Sequence, residues 1–292
     1  MNAAVAGTLR DYFELAKPRI MVLLLITTLA AMVMAARGIP SLTLVFWTLL
    51  AGALAAGSAG AFNCAYDADI DKIMKRTANR PIPAGRVSVR AAIVYASIIG
   101  AISFAIFFFL VNTLAAYLSL AGNVYYVLIY TMWLKRLTPL NIVIGGAAGA
   151  VPPLVGWAAV THAMGAPALG LFALIFLWTP PHFWALALAV ETDYEKAKIP
   201  MFPNVYGDER TKREIIYYSI ILVVASLALY PLHVMGALYF GAAAVLGGIF
   251  LLEAFRTWRE RNGTVDARRM FRYSLVYLAL MCTVMVIDRI IT

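Results

Sequence analysis

Asn63, Asp67 and Asp71 stand four residues apart in the run NCAYDADIDKIMKRTANRP. On an α-helix a four-residue step drifts by only about 40°, so the spacing predicts three oxygen-bearing side chains on nearly one face, with Asp69 pointing elsewhere. Two carboxylates and an amide oxygen are hard ligands of the kind Mg²⁺ accepts. Arg76 and Arg80 follow one and two turns later, and guanidinium groups suit phosphate oxygens. Metal ligands beside arginines point to chemistry on a diphosphate. The competing reading is a solvated helix end whose acids neutralise nearby lysines and whose arginines anchor lipid headgroups. Three aligned ligands followed by two arginines favour a site.

A second acidic stretch, ETDYEKAKIPMFPNVYGDER, begins at Glu191, with Asp193 its strongest candidate and Glu191 and Glu195 beside it. If the two stretches face one cavity, Asp193 joins Asn63, Asp67 and Asp71 as a metal ligand and Lys198 neutralises diphosphate charge. Lys135 and Arg136, in YTMWLKR, are further candidates for diphosphate binding, with Tyr130 one or two turns deeper. His182 lies within an apolar stretch, in LWTPPHFWAL, where an imidazole requires either a structural hydrogen bond or a ligand such as iron. Pro180 and Pro181 can kink its helix. Trp178, Phe183 and Trp184 would stack on a flat ligand, shield a carbocation, or simply fill the core.

The elements that must carry these residues are membrane helices. Of 292 residues, 63% are hydrophobic and 13% charged, the mean hydropathy is +0.82, and a soluble domain would carry about 25% charged residues. Apolar stretches long enough to cross a bilayer are predicted at 20–36, 42–64, 91–111, 114–133, 141–161, 167–189, 215–232, 235–254 and 271–291. The expectation is an all-α polytopic protein of nine spans, forming one membrane domain over 1–292, with its functional loops at about 65–90 and 190–214. Those loops follow the second and sixth spans, an order that suggests two four-helix units plus a ninth helix. Glycines at 52, 57, 60, 145, 146, 149 and 156 predict close helix packing.

An odd number of spans places the termini on opposite sides. Of the 24 basic residues, only Arg37 and Arg289 fall outside the amino-terminal segment and the even-numbered loops, which predicts a cytoplasmic amino terminus and an external carboxyl terminus in a cell membrane. The net charge of +9 is therefore topological, and its dispersal over short loops argues against nucleic-acid binding. The acids, on which that rule makes no demand, fall on the same side except for Asp288. Cys64 and Cys282 are read as apolar packing residues. The amino-terminal segment lacks the short apolar core of a cleaved signal.

NCAYDADIDKIMKRTANRP, YTMWLKR, FLWTPPHFWALA and DYEKAKIPMFP, in this order along nearly the whole chain, resemble the UbiA-type intramembrane prenyltransferases, most closely their haem-farnesylating branch. The resemblance implies nine helices around a central cavity and Mg²⁺-dependent transfer of a farnesyl group from farnesyl diphosphate to a vinyl group of haem b, with hydration, giving haem O. It implies that Asn63, Asp67, Asp71 and Asp193 act on metal and diphosphate, that Arg76 and Arg80 bind diphosphate, and that His182 handles haem. Besides the bilayer, it implies hand-over of product to a haem A synthase or a terminal oxidase. One departure is Ala197, four residues after Asp193, where the wider superfamily tends to carry a second aspartate. Two other readings remain: prenylation of an aromatic acid or quinone precursor, and membrane transport.

Overall fold

The computed structural model describes residues 7–190, 195–261 and 264–292. Its long helices are α2 (Pro18–Ala36), α3 (Leu42–Tyr66), α5 (Val89–Ile106), α6 (Thr113–Val124), α8 (Asn141–Thr161), α9 (Ala166–Ala189), α11 (Asp208–Ala228), α12 (Ala237–Arg259) and α13 (Val265–Ile291). Short helices α1 (Leu9–Leu15), α4 (Ala68–Ile73), α7 (Lys135–Leu137) and α10 (Phe202–Tyr206) lie between them. Helix α5 continues as a π-helical turn over Phe107–Val111, and α6 as a longer one over Tyr125–Leu134.

Among the described residues, eight helical stretches are long and apolar enough to cross a membrane. The predicted seventh span, 215–232, corresponds to α11, which starts and ends earlier than predicted. Its opening turns, DERTKRE, extend the helix beyond the apolar stretch and lower its mean hydropathy. It nevertheless packs between α9 and α12 and completes the nine-helix arrangement predicted from sequence.

With little water available inside a membrane bundle, polar side chains bond to carbonyls on neighbouring helices. Ser58 donates to the Ala96 carbonyl at 2.8 Å, Ser103 to Ala51 at 2.7 Å and Asn123 to Ala55 at 2.9 Å. Asp288 of α13 accepts from the backbone N–H groups of Gly236 and Tyr239 at 2.5 and 3.0 Å. A helix start inside the bundle is thereby capped from another element. The predicted close packing appears where α2 crosses α8. A Cβ on Gly156 would lie 2.2 Å from the Thr28 carbonyl oxygen, a backbone atom that cannot turn aside. Gly156→Ala should therefore destabilise the detergent-solubilised protein by about 1–3 kcal/mol, read as a lower melting temperature. Gly248→Ala, with nothing within 4 Å of the added carbon, should leave melting unchanged or slightly raised.

Candidate active site

The acidic ledge forms where α3 ends. Asp67 takes φ −87° and ψ 10°, and α4 begins at the next residue. The helical register nevertheless crosses the break: the Asp67 N–H donates to the Asn63 carbonyl at 2.9 Å and the Asp71 N–H to the Asp67 carbonyl at 2.8 Å. All three predicted residues are buried. Asp69 instead forms a bidentate pair with Arg136, both contacts 2.8 Å, and this bonding holds its carboxyl below the usual carboxylate range.

Each member of the ledge faces a cation. Lys17 donates to Asn63 Oδ1, Lys135 to Asp67 Oδ2, and Arg80 to Asp71 Oδ2 at 2.7 Å. Asn63 spends its amide hydrogens on Asp67 Oδ2 at 2.8 Å and Thr131 Oγ1 at 3.2 Å, which turns its oxygen toward Lys17. Asp67 Oδ1 is buried without a hydrogen bond; the Arg136 guanidinium stands 3.8 Å from it.

Sequence reasoning did not assign Lys17 to the site. It precedes α2 at φ 54° and ψ 55°, a left-handed conformation that non-glycine residues adopt infrequently. Burial, with the neighbouring charges of Arg80 and Lys135 adding to it, holds its ammonium below the usual lysine range. The available signal was a lysine directly before a proline at the start of the first apolar stretch, which the topology argument absorbed. Helix α1 leads the chain there. Thr8 and Asp11 form its capping box, and Asp11 also accepts from Arg86 at 2.7 Å. The Arg86 and Thr8 hydrogen bonds lower the Asp11 carboxyl to about 2.

Behind the ledge lies an apolar cavity of about 350 Å³ between α2, α3, α6, α8 and α9. Lys17, Tyr126 and Tyr130 belong to its wall, and Gly145, Gly146 and Gly149 keep the α8 side open. The π-helical segment sets the wall opposite α3. Its i→i+5 bonding widens the turn to between four and five residues, so Tyr126, Tyr130 and Lys135 follow one another along one side. The Tyr126 and Tyr130 rings are neighbours, tilted at 36° with centroids 5.3 Å apart.

The remaining candidates distribute unevenly. Arg76 is exposed and forms no hydrogen bond or ion pair among the described residues. Arg136 packs over the Tyr66 ring, 4.7 Å from its centroid, in addition to its bonds to Asp69. Lys198 is exposed and lines a smaller recess with Asp69 and Arg136, outside the main cavity wall. Asp193 and Glu191 lie outside the described residues.

His182 is half-buried on the α9 surface facing α13 and is not part of the main cavity wall. Its ring is stacked between Trp178, at 4.1 Å, and Phe271, at 4.7 Å. The neighbouring aromatics separate by role: Phe183 lines the cavity, whereas Trp184 is buried against Phe202 and Tyr218. Cys64 and Cys282 are buried free thiols.

Among the described residues no three His, Cys, Asp or Glu side chains converge as a metal cage. Mg²⁺ does not require one, since it commonly takes one or two carboxylates together with waters and substrate phosphates. The buried, unbonded Asp67 Oδ1, with Asp71 and Asn63 Oδ1 on the same ledge, fits that mode.

A helical membrane chamber with a buried acidic ledge at one end, faced by half-buried cations, fits an intramembrane prenyl-diphosphate enzyme. The model of the UbiA prenyltransferase family matches residues 24–276, and the chain belongs to that family. It is 51% identical over 280 residues to a protoheme IX farnesyltransferase of Trichodesmium erythraeum, covering 96% of this chain and 85% of that protein. It is 52% identical over 287 residues to the protoheme IX farnesyltransferase of Gloeobacter violaceus, covering 98% and 94%. Among solved structures, a digeranylgeranylglyceryl phosphate synthase aligns with TM-score 0.81 at 16% identity, covering 97% of this chain and 99% of that one. A UbiA homologue from Archaeoglobus fulgidus bound to DMAPP and Mg²⁺ aligns with TM-score 0.67 at 19% identity, covering 94% and 99%.

Proposed function

We propose that this chain transfers the farnesyl group of farnesyl diphosphate to a vinyl group of haem b, with addition of water, giving haem O and diphosphate. The observation that carries the diphosphate half is the Asn63–Asp67–Asp71 ledge, with its three cations, at the mouth of an apolar chamber. The names of the relatives that match nearly the whole chain support haem b as acceptor.

Asp67, Asp71 and Asn63 would hold Mg²⁺, joined by Asp193 from the second acidic stretch; the metal would supply neutralisation of the leaving diphosphate. Lys17, Lys135 and Arg80 exchange their carboxylate and amide partners for diphosphate oxygens and stabilise the charge that grows as the allylic carbon–oxygen bond breaks. Exposed Arg76 and Lys198 meet the diphosphate as it arrives, and Arg136 steadies the ledge through Asp69. The Tyr126 and Tyr130 ring faces stabilise the farnesyl cation, and the apolar wall excludes water from it. The vinyl group supplies the electron pair for the new carbon–carbon bond; water adds to the resulting cation and releases a proton.

Pockets for small ligands occupy about 300–1,000 Å³. A chamber at the lower end of that range suits a fifteen-carbon chain without a tetrapyrrole beside it. The macrocycle therefore stays outside, with one vinyl edge entering, and His182 contacts the haem from the neighbouring α9 surface. The distribution of basic residues supports a cytoplasmic amino terminus and this reaction on the cytoplasmic side of the cell membrane, in a single membrane domain. Hand-over to a haem A synthase or a terminal oxidase is part of the same proposal.

The test is incubation of the purified protein with haem b, farnesyl diphosphate and Mg²⁺, followed by mass analysis of extracted haem with and without a chelator. Chelator-sensitive hydroxyfarnesyl haem is the expected result. Prenylation of an aromatic acid or quinone precursor, with haem untouched, would retain the diphosphate site and overturn the acceptor. Substrate flux across proteoliposomes without transfer would favour a transporter.

A further inference from the structure

The hydrogen bonds around His182 favour one ring tautomer over the other. Nδ1 lies 2.6 Å from Ser274 Oγ, and the same oxygen donates its only hydrogen to the Phe271 carbonyl at 2.7 Å. That carbonyl can only accept. If Ser274 instead turned its hydrogen toward the histidine, two acceptor oxygens would face each other at 2.7 Å. The arrangement that satisfies both contacts makes Nδ1–H the donor to Ser274 and leaves Nε2 as a bare lone pair. Nε2 has no hydrogen-bond partner among the described residues and is not among the buried unpaired atoms.

The surroundings also fix the ring's orientation. Trp178 and Phe271 close its two faces, while the Trp178 indole N–H donates to the Ser274 carbonyl at 2.8 Å. Ser274 is fully buried. A histidine serving only to join two helices would have no need of a free nitrogen, whereas a ligating imidazole donates through one nitrogen and binds metal through the other.

We infer that Ser274 is a positioning residue for the acceptor: it holds His182 in the Nδ1–H form and presents the Nε2 lone pair to the iron of haem b. This rests on the proposal that haem is the acceptor. No covalent change at iron is required; coordination would hold the macrocycle at the α9–α13 surface while a vinyl edge reaches the chamber.

The chain contains three histidines, so ring-¹⁵N labelling of the full-length protein in nanodiscs, with His182→Ala for assignment, can report the tautomer without haem. The expected result is an unprotonated Nε2 in the parent protein and a mixed or reversed tautomer in Ser274→Ala. Haem b titration followed by visible absorption should show a histidine-ligated spectrum that His182→Ala loses. Ser274→Ala should weaken haem binding by about 10–100-fold, with Ser274→Thr restoring much of it, and thermal melting should establish that each variant is folded. A protonated Nε2 in the parent, or unchanged tautomer and affinity in folded Ser274→Ala, would overturn the inference. An unchanged haem spectrum in folded His182→Ala would overturn the iron-ligand reading itself. Haem binding without farnesyl transfer would locate the failure in the proposed reaction.

Discussion

Asp67→Asn should lower farnesyl transfer by about two to three orders of magnitude in turnover, the scale seen when one group that stabilises transition-state charge is removed. The substitution keeps size and one oxygen while deleting the charge. Asp67 is fully buried, pairs with Lys135 through Oδ2, and leaves Oδ1 without a hydrogen bond. An asparagine there would present either a weaker metal ligand or an NH₂ group directed at the Lys135 ammonium. The half-saturating Mg²⁺ concentration should rise together with the loss of turnover. Asp69→Asn is the matched comparison, because Asp69 is two-thirds exposed and turned toward Arg136; it should cost no more than a few-fold. Measurement across a Mg²⁺ series separates the outcomes, and equal rates for the parent and Asp67→Asn at limiting metal would remove the ledge from the mechanism.

The second large effect is expected at Lys135. If this lysine only balances Asp67, Lys135→Met frees the carboxylate for metal, lowers the Mg²⁺ requirement and leaves turnover intact. If it also transfers to the diphosphate, the same change still eases metal binding but removes a charge-assisted donor as the leaving group departs. The second pattern is the prediction: turnover down by about 10²-fold, with half-saturating Mg²⁺ unchanged or lower. The two effects have opposite signs, so general damage to the site cannot imitate them. Asp67→Asn/Lys135→Met should lose less than the product of the single effects, because the two groups share one contact. Lys17→Met is expected to follow the same pattern more weakly, since its present partner is the neutral Asn63 amide.

Much of the ledge was legible before any coordinates. Four-residue spacing survives the break at Asp67 because the backbone bonds from Asn63 to Asp67 and from Asp67 to Asp71 persist across it. The separate direction of Asp69 follows from the same periodicity. Span boundaries were legible wherever apolar length alone determines them, but α11 begins in charged residues, and hydropathy cannot mark where a helix extends beyond the bilayer. The Tyr126–Tyr130–Lys135 wall was hidden for another reason. On an α-helical wheel Tyr126 and Tyr130, four residues apart, share a face while Lys135 points away, and only the wider π-helical turn brings Lys135 into line with them.

The sequence by itself determined the membrane class, the alignment of Asn63, Asp67 and Asp71, and the family, since each depends on local composition, on spacing along one helix, or on motif order. Tertiary structure decided which cation meets which ligand, the role of Lys17, the commitment of Arg136 to Asp69, and the place of His182 beside Ser274 rather than in the chamber wall. Those facts depend on residues brought together from distant parts of the chain: Lys17 lies 46 positions from Asn63, and His182 lies 92 from Ser274. Helical periodicity orders side chains only around their own axis; helix packing determines which faces meet.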